Sequence, residues 1–321
     1  MKYFIIILSL ISSIYANNLK PYKEIIFNGG VKDMVLNNNN LIVGTDTGKL
    51  QVYDLKLQKI IKTIQLPKIK DFMGDIIDTR VASVDYLNKK YLLLSDSGIG
   101  GYTNIWLYKD NKLEKIISPK DELSIVKARF IDDNHILFGF LSNEVALYDI
   151  KNKKILYTHQ LSESKFSDFA LNENKTVGAF SCESGIIYIV NIKNGKIMKE
   201  LKGIHVDNVY KVDMKNNIVV GAGQDRRASY FNLKTGEKGY FSANFIIYSA
   251  GLSPSGKKAA YAIDENNDIA IYNLNTKSKT QLLKGQKSRL NTIIFQDENT
   301  LFSAGDDETV MMWKLNKKEN K

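Results

Sequence analysis

A segment of about 40 residues returns seven times along this chain, and that return limits what it can fold into. Each copy closes on an apolar strand capped by an aromatic or apolar residue and then a polar one. The closing pairs are Tyr53-Asp54, Tyr108-Lys109, Tyr148-Asp149, Val190-Asn191, Phe231-Asn232, Tyr272-Asn273 and Trp313-Lys314. The steps between them are 55, 40, 42, 41, 41 and 41 residues. Such a period means one supersecondary unit repeated, and a blade of four antiparallel strands is the unit of that size. The expected fold is all-β, a seven-bladed propeller.

The pattern inside each copy agrees. In the first, Val31 to Leu36 reads as strand a, Leu41 to Gly44 as b, Lys49 to Tyr53 as c and Ile60 to Leu66 as d. The turns between them, Asn37 to Asn40 and Thr45 to Gly48, use residues that tolerate left-handed backbone. The predicted blades span 31–66, 81–118, 126–161, 166–201, 209–242, 246–283 and 290–315. The seventh stops after strand c, and the apolar Tyr22 to Phe27 precedes the first strand a. That segment is expected to supply the missing outer strand and close the ring, removing a free sheet edge.

The first 16 residues read as a Sec signal peptide: Lys2, an apolar run from Tyr3 to Ile14, and small residues up to Ala16. A run of 12 is short for a bilayer span, which needs roughly 20 residues. Cleavage after Ala16 leaves residues 17–321 as one domain with no lipid-anchor cysteine at its start. The expectation is an exported, periplasmic protein without a stable membrane anchor.

Composition narrows function mainly by exclusion. The net charge of +10 rests on 45 basic residues, of which only Arg80, Arg129, Arg226, Arg227 and Arg289 are arginine. Lysines scattered through turns, in a chain rich in Asn and Ile, do not make the arginine strip with interleaved aromatics of a nucleic-acid binder. Cys182 is the single cysteine and lies in an apolar run, so no internal disulfide forms and the thiol reads as buried. His135, His159 and His205 have no partner at metal-ligand spacing. The glycine-rich Ser97 to Gly101 precedes a strand rather than a helix, so it reads as a wide b–c turn and not as a phosphate loop. No catalytic, cofactor or metal residue is assigned, and the chain is read as a non-enzyme. Carboxylates such as Asp75, Asp78, Asp306 and Asp307 read as turn acids; a lactonase-type or quinoprotein-like propeller enzyme would need them matched across blades.

The copies resemble the WD40 family. The closest match is Phe302-Ser-Ala-Gly-Asp-Asp-Glu-Thr-Val-Met-Met-Trp313, with Asp307 six residues before Trp313. Asp225 stands in the same relation to Phe231, and Gly203-Ile204-His205 precedes the fifth strand a. The resemblance implies structural hydrogen-bond roles for His205, Asp225, Asp307 and Trp313. Gln286 stands where the family places its His, and Phe231 where it places Trp. By whole-chain organisation and character, the sequence is also similar to the propeller proteins encoded with periplasmic nitrate reductase in epsilonproteobacteria. That similarity implies an accessory role toward the enzyme or its maturation factors. A scaffold for outer-membrane protein assembly is the other platform reading.

The 55-residue step points to where a partner binds. It comes from Pro67 to Asp78, a long d–a connection, and the Ser97 to Thr103 turn falls on the same face. Phe72 and Met73 in that connection are either partner anchors or a lid folded onto the propeller. Arg80, Lys165 and Arg289 each precede a strand a, and Arg226 and Arg227 sit in a b–c turn. All five are expected to look toward the channel mouth. They form either a basic mouth suited to an acidic surface or an ordinary solvated face.

Overall fold

The structure is a computed structural model that describes residues 17–316. The expected signal peptide therefore lies outside the described residues. Seven sheets follow one another along the chain, each with strands a to d in order. In the first blade these are Val31–Asn37, Asn40–Thr45, Lys49–Asp54 and Lys59–Gln65. The seven strands a touch in a closed circle, each against the next and blade 7 against blade 1. The fold is a seven-bladed β-propeller with strands a around a central channel.

Packing explains why the sequence repeats. Seven buried apolar clusters lie one in each gap between adjacent blades. A blade cannot bury both its faces alone, so each is stable only between two neighbours. Strands b and c are covered on both faces, which is why Leu92 to Leu94 or Ile136 to Phe138 read as unbroken apolar runs. Strands d are largely exposed and lysine-rich, as in Lys154–Gln160, a composition that discourages edge-to-edge pairing.

Ring closure follows the expected route: Lys23–Ile26 pairs antiparallel with Thr309 to Met312 as the outer strand of blade 7. The chain also closes in a way the sequence did not announce. Asn17–Leu19 pairs in parallel with Gln281 to Leu283, a fifth strand on blade 6. Leu19 packs against the cluster between blades 6 and 7, and the Lys284 amide donates to the Leu19 carbonyl at 2.8 Å. One short N-terminal segment therefore stitches two blades. The other unforeseen element is a small hairpin, Ile69–Lys70 with Ile76–Ile77, inside the long first connection.

Candidate docking face and channel

The long connection folds into a defined shape. At its tip Asp71, Phe72, Met73 and Gly74 make a tight turn, closed by the Gly74 amide donating to the Asp71 carbonyl at 3.1 Å. The Asp71 side chain accepts from the amides of Met73 and Asp75, both at 2.9 Å. Gly74 takes φ of 93°, a conformation that favours glycine. At the base the Thr79 hydroxyl donates to the Pro67 carbonyl at 2.6 Å. The result is an internally braced hairpin whose two tip residues stand in solvent. Phe72 is 93% exposed and Met73 74% exposed, so neither is folded down onto the propeller.

The glycine-rich turn of blade 2 buttresses this hairpin. Gly98 has φ of 78°, and a Cβ there would lie 1.9 Å from the Lys70 carbonyl oxygen. Only glycine permits that approach. Ile99 in the same turn is exposed, as are Ile76 and Ile77 of the hairpin. Hairpin and turn overhang a depression of about 1010 Å³ at the mouth of the channel. Its far wall carries Tyr210, Tyr248 and Arg289. The Arg289 guanidinium lies over the Tyr248 ring, 5.2 Å from its centroid, and the Tyr210 and Tyr248 centroids are 5.1 Å apart.

The charges at this mouth are paired rather than bare. Arg80 grips Asp96 with two hydrogen bonds of 3.0 Å, and Arg289 sits 3.0 Å from Asp306. Lys32 bridges Asp46 at 3.4 Å and Asp306 at 3.3 Å. Burial tends to raise the Asp306 carboxyl, but the Asn291 hydrogen bond, Arg289 and Lys32 outweigh it and hold the pKa below its ordinary value. Arg80 and Arg289, each before a strand a, are thus answered by a carboxylate at or just past the end of strand b of the same blade. Arg80, Arg289 and Phe72 line the depression; Lys165, Arg226 and Arg227 are not among its lining residues. Arg227 instead donates to the Ile204 carbonyl and stacks on Tyr240 of the outer strand, 5.0 Å from the ring centroid.

Below the mouth the channel holds charges that sequence reasoning missed. Asp33, Asp85, Asp168 and Asp213 stand in strands a of blades 1, 2, 4 and 5. Each accepts a hydrogen bond from an amide of the next blade's strand a: Val84 at 2.9 Å, Phe130 at 2.8 Å, Val212 at 3.2 Å and Leu252 at 2.8 Å. Blade 3 uses Lys127 instead, which donates to Asp168 at 2.6 Å and to the Phe169 carbonyl at 2.7 Å. These are staples between blades, because the innermost strands of neighbouring blades share no backbone ladder. The available signal was a lone Asp or Lys recurring inside an otherwise apolar strand a. Burial pulls the Lys127 ammonium down, Asp168 opposes this, Arg129 and Lys211 push it further, and its pKa falls to about 8.

Blades 5 and 7 carry the larger buried polar networks, and blade 2 a shorter one in which the Trp106 indole donates to Ser95 at 3.0 Å. In blade 5, His205 Nδ1 lies 3.0 Å from Asp225 and Nε2 lies 2.7 Å from Ser229. In blade 7 the Trp313 indole donates to Ser303 at 2.7 Å, and the Ser303 hydroxyl donates to Gln286 at 2.7 Å. Asp307 turns its carboxylate onto the Thr309 amide at 2.7 Å. Cys182 is fully buried, 3.1 Å from the Ser184 hydroxyl.

Among the described residues, no group of three or more His, Cys, Asp and Glu side chains could hold a metal ion, and no helix is long and apolar enough to cross a membrane. No protein-family model matches the sequence, and comparison with the curated proteins finds no match.

Proposed function

We propose that this chain is a non-enzymatic interaction platform and that it docks a protein partner on the face built by the 69–77 hairpin and the 97–102 turn. The observation that carries this reading is the braced hairpin tip. The turn backbone that carries Phe72 and Met73 is hydrogen-bonded in place, yet both side chains are left in solvent beside a large depression. A pre-formed turn has little backbone freedom to lose on binding, which favours the use of its exposed apolar pair as an anchor. The paired charges around it can add specificity and register more than affinity.

The finer reading is that the repeats are of the WD40 kind and that the protein acts in the periplasm as an accessory to nitrate reductase, in the manner of NapL-type propellers. The His205, Asp225 and Ser229 network and the Gln286, Ser303 and Trp313 network support the WD40 reading, with Gln286 in the histidine's role. The nitrate reductase reading rests on the whole-chain similarity described above. Its test is direct binding of the purified periplasmic nitrate reductase catalytic subunit to residues 17–321. Binding that weakens by about 30-fold in Phe72→Ala, equivalent to about 2 kcal/mol, supports the partner and the face together. Binding unaffected by Phe72→Ala and Met73→Ala moves the contact elsewhere; absence of binding removes nitrate reductase as the partner.

A further inference from the structure

Beyond the docking face, the channel itself has the makings of a ligand site. Its lower chamber, of about 410 Å³, falls in the size range of small-molecule pockets. The wall is two-sided. Val35, Leu36, Leu171 and Ile294 contribute half-buried apolar surface, whereas blades 3 and 5 contribute Lys127 and Lys211.

Cations and carboxylates are matched in number on the second side, but their contacts are uneven. Lys127 and Lys211 approach the two oxygens of one carboxylate, Asp168, at 2.6 and 3.8 Å. That carboxylate also accepts from the Val212 amide. Arg129 brings a further positive charge, which Asp33 answers at 2.8 Å. Of the other carboxylates lining the chamber, Asp85 and Asp213 have both oxygens on backbone amides, and Glu173 accepts from the Asn216 amide through one oxygen. Asp85 accepts from Tyr86 and Phe130, and Asp213 accepts from Met214 and Leu252. Lys211 makes only the 3.8 Å contact and keeps its hydrogen-bond donors for the chamber. A half-buried ammonium that shares one carboxylate with a second ammonium is a site where an added anion gains more than it would in water.

We propose that the chamber binds a small organic carboxylate, its charged end on Lys211 and Lys127 and its apolar body against the Val35, Leu36 and Ile294 wall. Lys211 lines both the chamber and the depression above, so the two adjoin at that residue. The site does not depend on a protein partner at the hairpin.

The experiment titrates residues 17–321 with sodium hexanoate and sodium benzoate, and with hexanamide and benzamide as neutral counterparts, by calorimetry and by thermal melting. At least one carboxylate is expected to bind and to raise the melting temperature, with its amide binding at least about 10-fold more weakly. Lys211→Met should lose about 10-fold or more in affinity, and Lys211→Arg should keep most of it. Equal binding of acid and amide, no binding of either acid, or full affinity in a folded Lys211→Met protein would each overturn the proposal. Should Lys211→Met fail to fold, the acid–amide comparison on the unaltered chain still decides.

Discussion

Arg129 in blade 3 reaches past blade 2 to Asp33 in blade 1, its Nη2 atom 2.8 Å from the carboxylate. On the way its other terminal nitrogen donates to Ser83 of blade 2 at 2.6 Å. One side chain thus ties three consecutive blades at the channel wall. Burial alone would raise the Asp33 carboxyl, yet Arg129, Lys127, Lys211 and the Val84 amide hold its pKa below the ordinary value. Removing one partner of a buried pair costs about 3–5 kcal/mol, because the other charge stays behind unpaired. Asp33→Ala should lower stability by that order, since it strands both Arg129 and the Val84 amide. A double change to Asp33→Leu and Arg129→Met should recover a good part of the loss. Denaturant unfolding of the three proteins measures it, and a near-neutral Asp33→Ala would show that the tie does not matter.

Lys127 should leave a mark on the pH dependence of stability. Its folded pKa of about 8 lies below the unfolded value of roughly 10.4. Below the folded value both states hold the proton, and the native state carries the full cost of a charged, buried ammonium. Between the two values the unfolded state binds more protons, so this group's contribution to stability rises with pH. The stability of the unaltered chain minus that of Lys127→Met should therefore shift toward the unaltered chain as pH rises from about 7.5 to about 10. Other groups titrate in both proteins and drop out of the difference. A flat or falling difference would mean that Lys127 is not held as described.

Much of this architecture was legible because blade packing imposes itself on sequence. Strands b and c must be apolar on both faces, so Leu92 to Leu94 and Val219 to Val220 announce themselves, and the 41-residue spacing counts the blades. The closing strand near Lys23 to Ile26 was legible as the complement of a missing strand d. Asn17 to Leu19 was not, because three residues in parallel pairing carry no alternation to read. The face of the hairpin could be placed from loop length, whereas the pairing of Arg80 with Asp96 could not. That pair joins residues 16 apart, from the start of strand a to the end of strand b, which only the pairing of those strands brings together. The channel staples were hidden for a similar reason, since Asp168 and Val212 become neighbours only when blades 4 and 5 pack.

The N-terminal stitch separates into two contributions. Deleting residues 17–21 removes the parallel strand on blade 6 and leaves the antiparallel strand on blade 7. Deleting residues 17–27 removes both and uncovers Met311 and Val310 at the edge of blade 7. The shorter deletion should lower the melting temperature by a few degrees, of the order expected for about 1 kcal/mol in a chain of this size. The longer one should lower amide protection at those residues of 309–312 that face the lost strand, read by hydrogen exchange, while the pairing with Thr300 to Ala304 persists. Unchanged protection there would contradict strand closure by this segment.

The two buried polar networks should differ in their response to truncation. Trp313→Phe keeps an aromatic ring but shrinks it in a fully buried place and leaves the Ser303 hydroxyl without the indole donor, and at least about 1–3 kcal/mol should be lost. Gln286→His should be tolerated in comparison if a ring nitrogen can accept from Ser303 as the amide oxygen does. Thermal melts of both variants suffice, and a Gln286→His protein less stable than Trp313→Phe would count against the histidine-like role.

The central claim is that the hairpin tip is where a partner docks. A photo-crosslinking amino acid placed in cells at position 72, and separately at position 198 on the exposed outer strand of blade 4, tests it most directly. The account expects a discrete protein adduct from position 72 that position 198 does not give, and that disappears when Gly98→Ala forces the turn against the Lys70 carbonyl and displaces the hairpin. No adduct at position 72, or the same adducts from both positions, would contradict it.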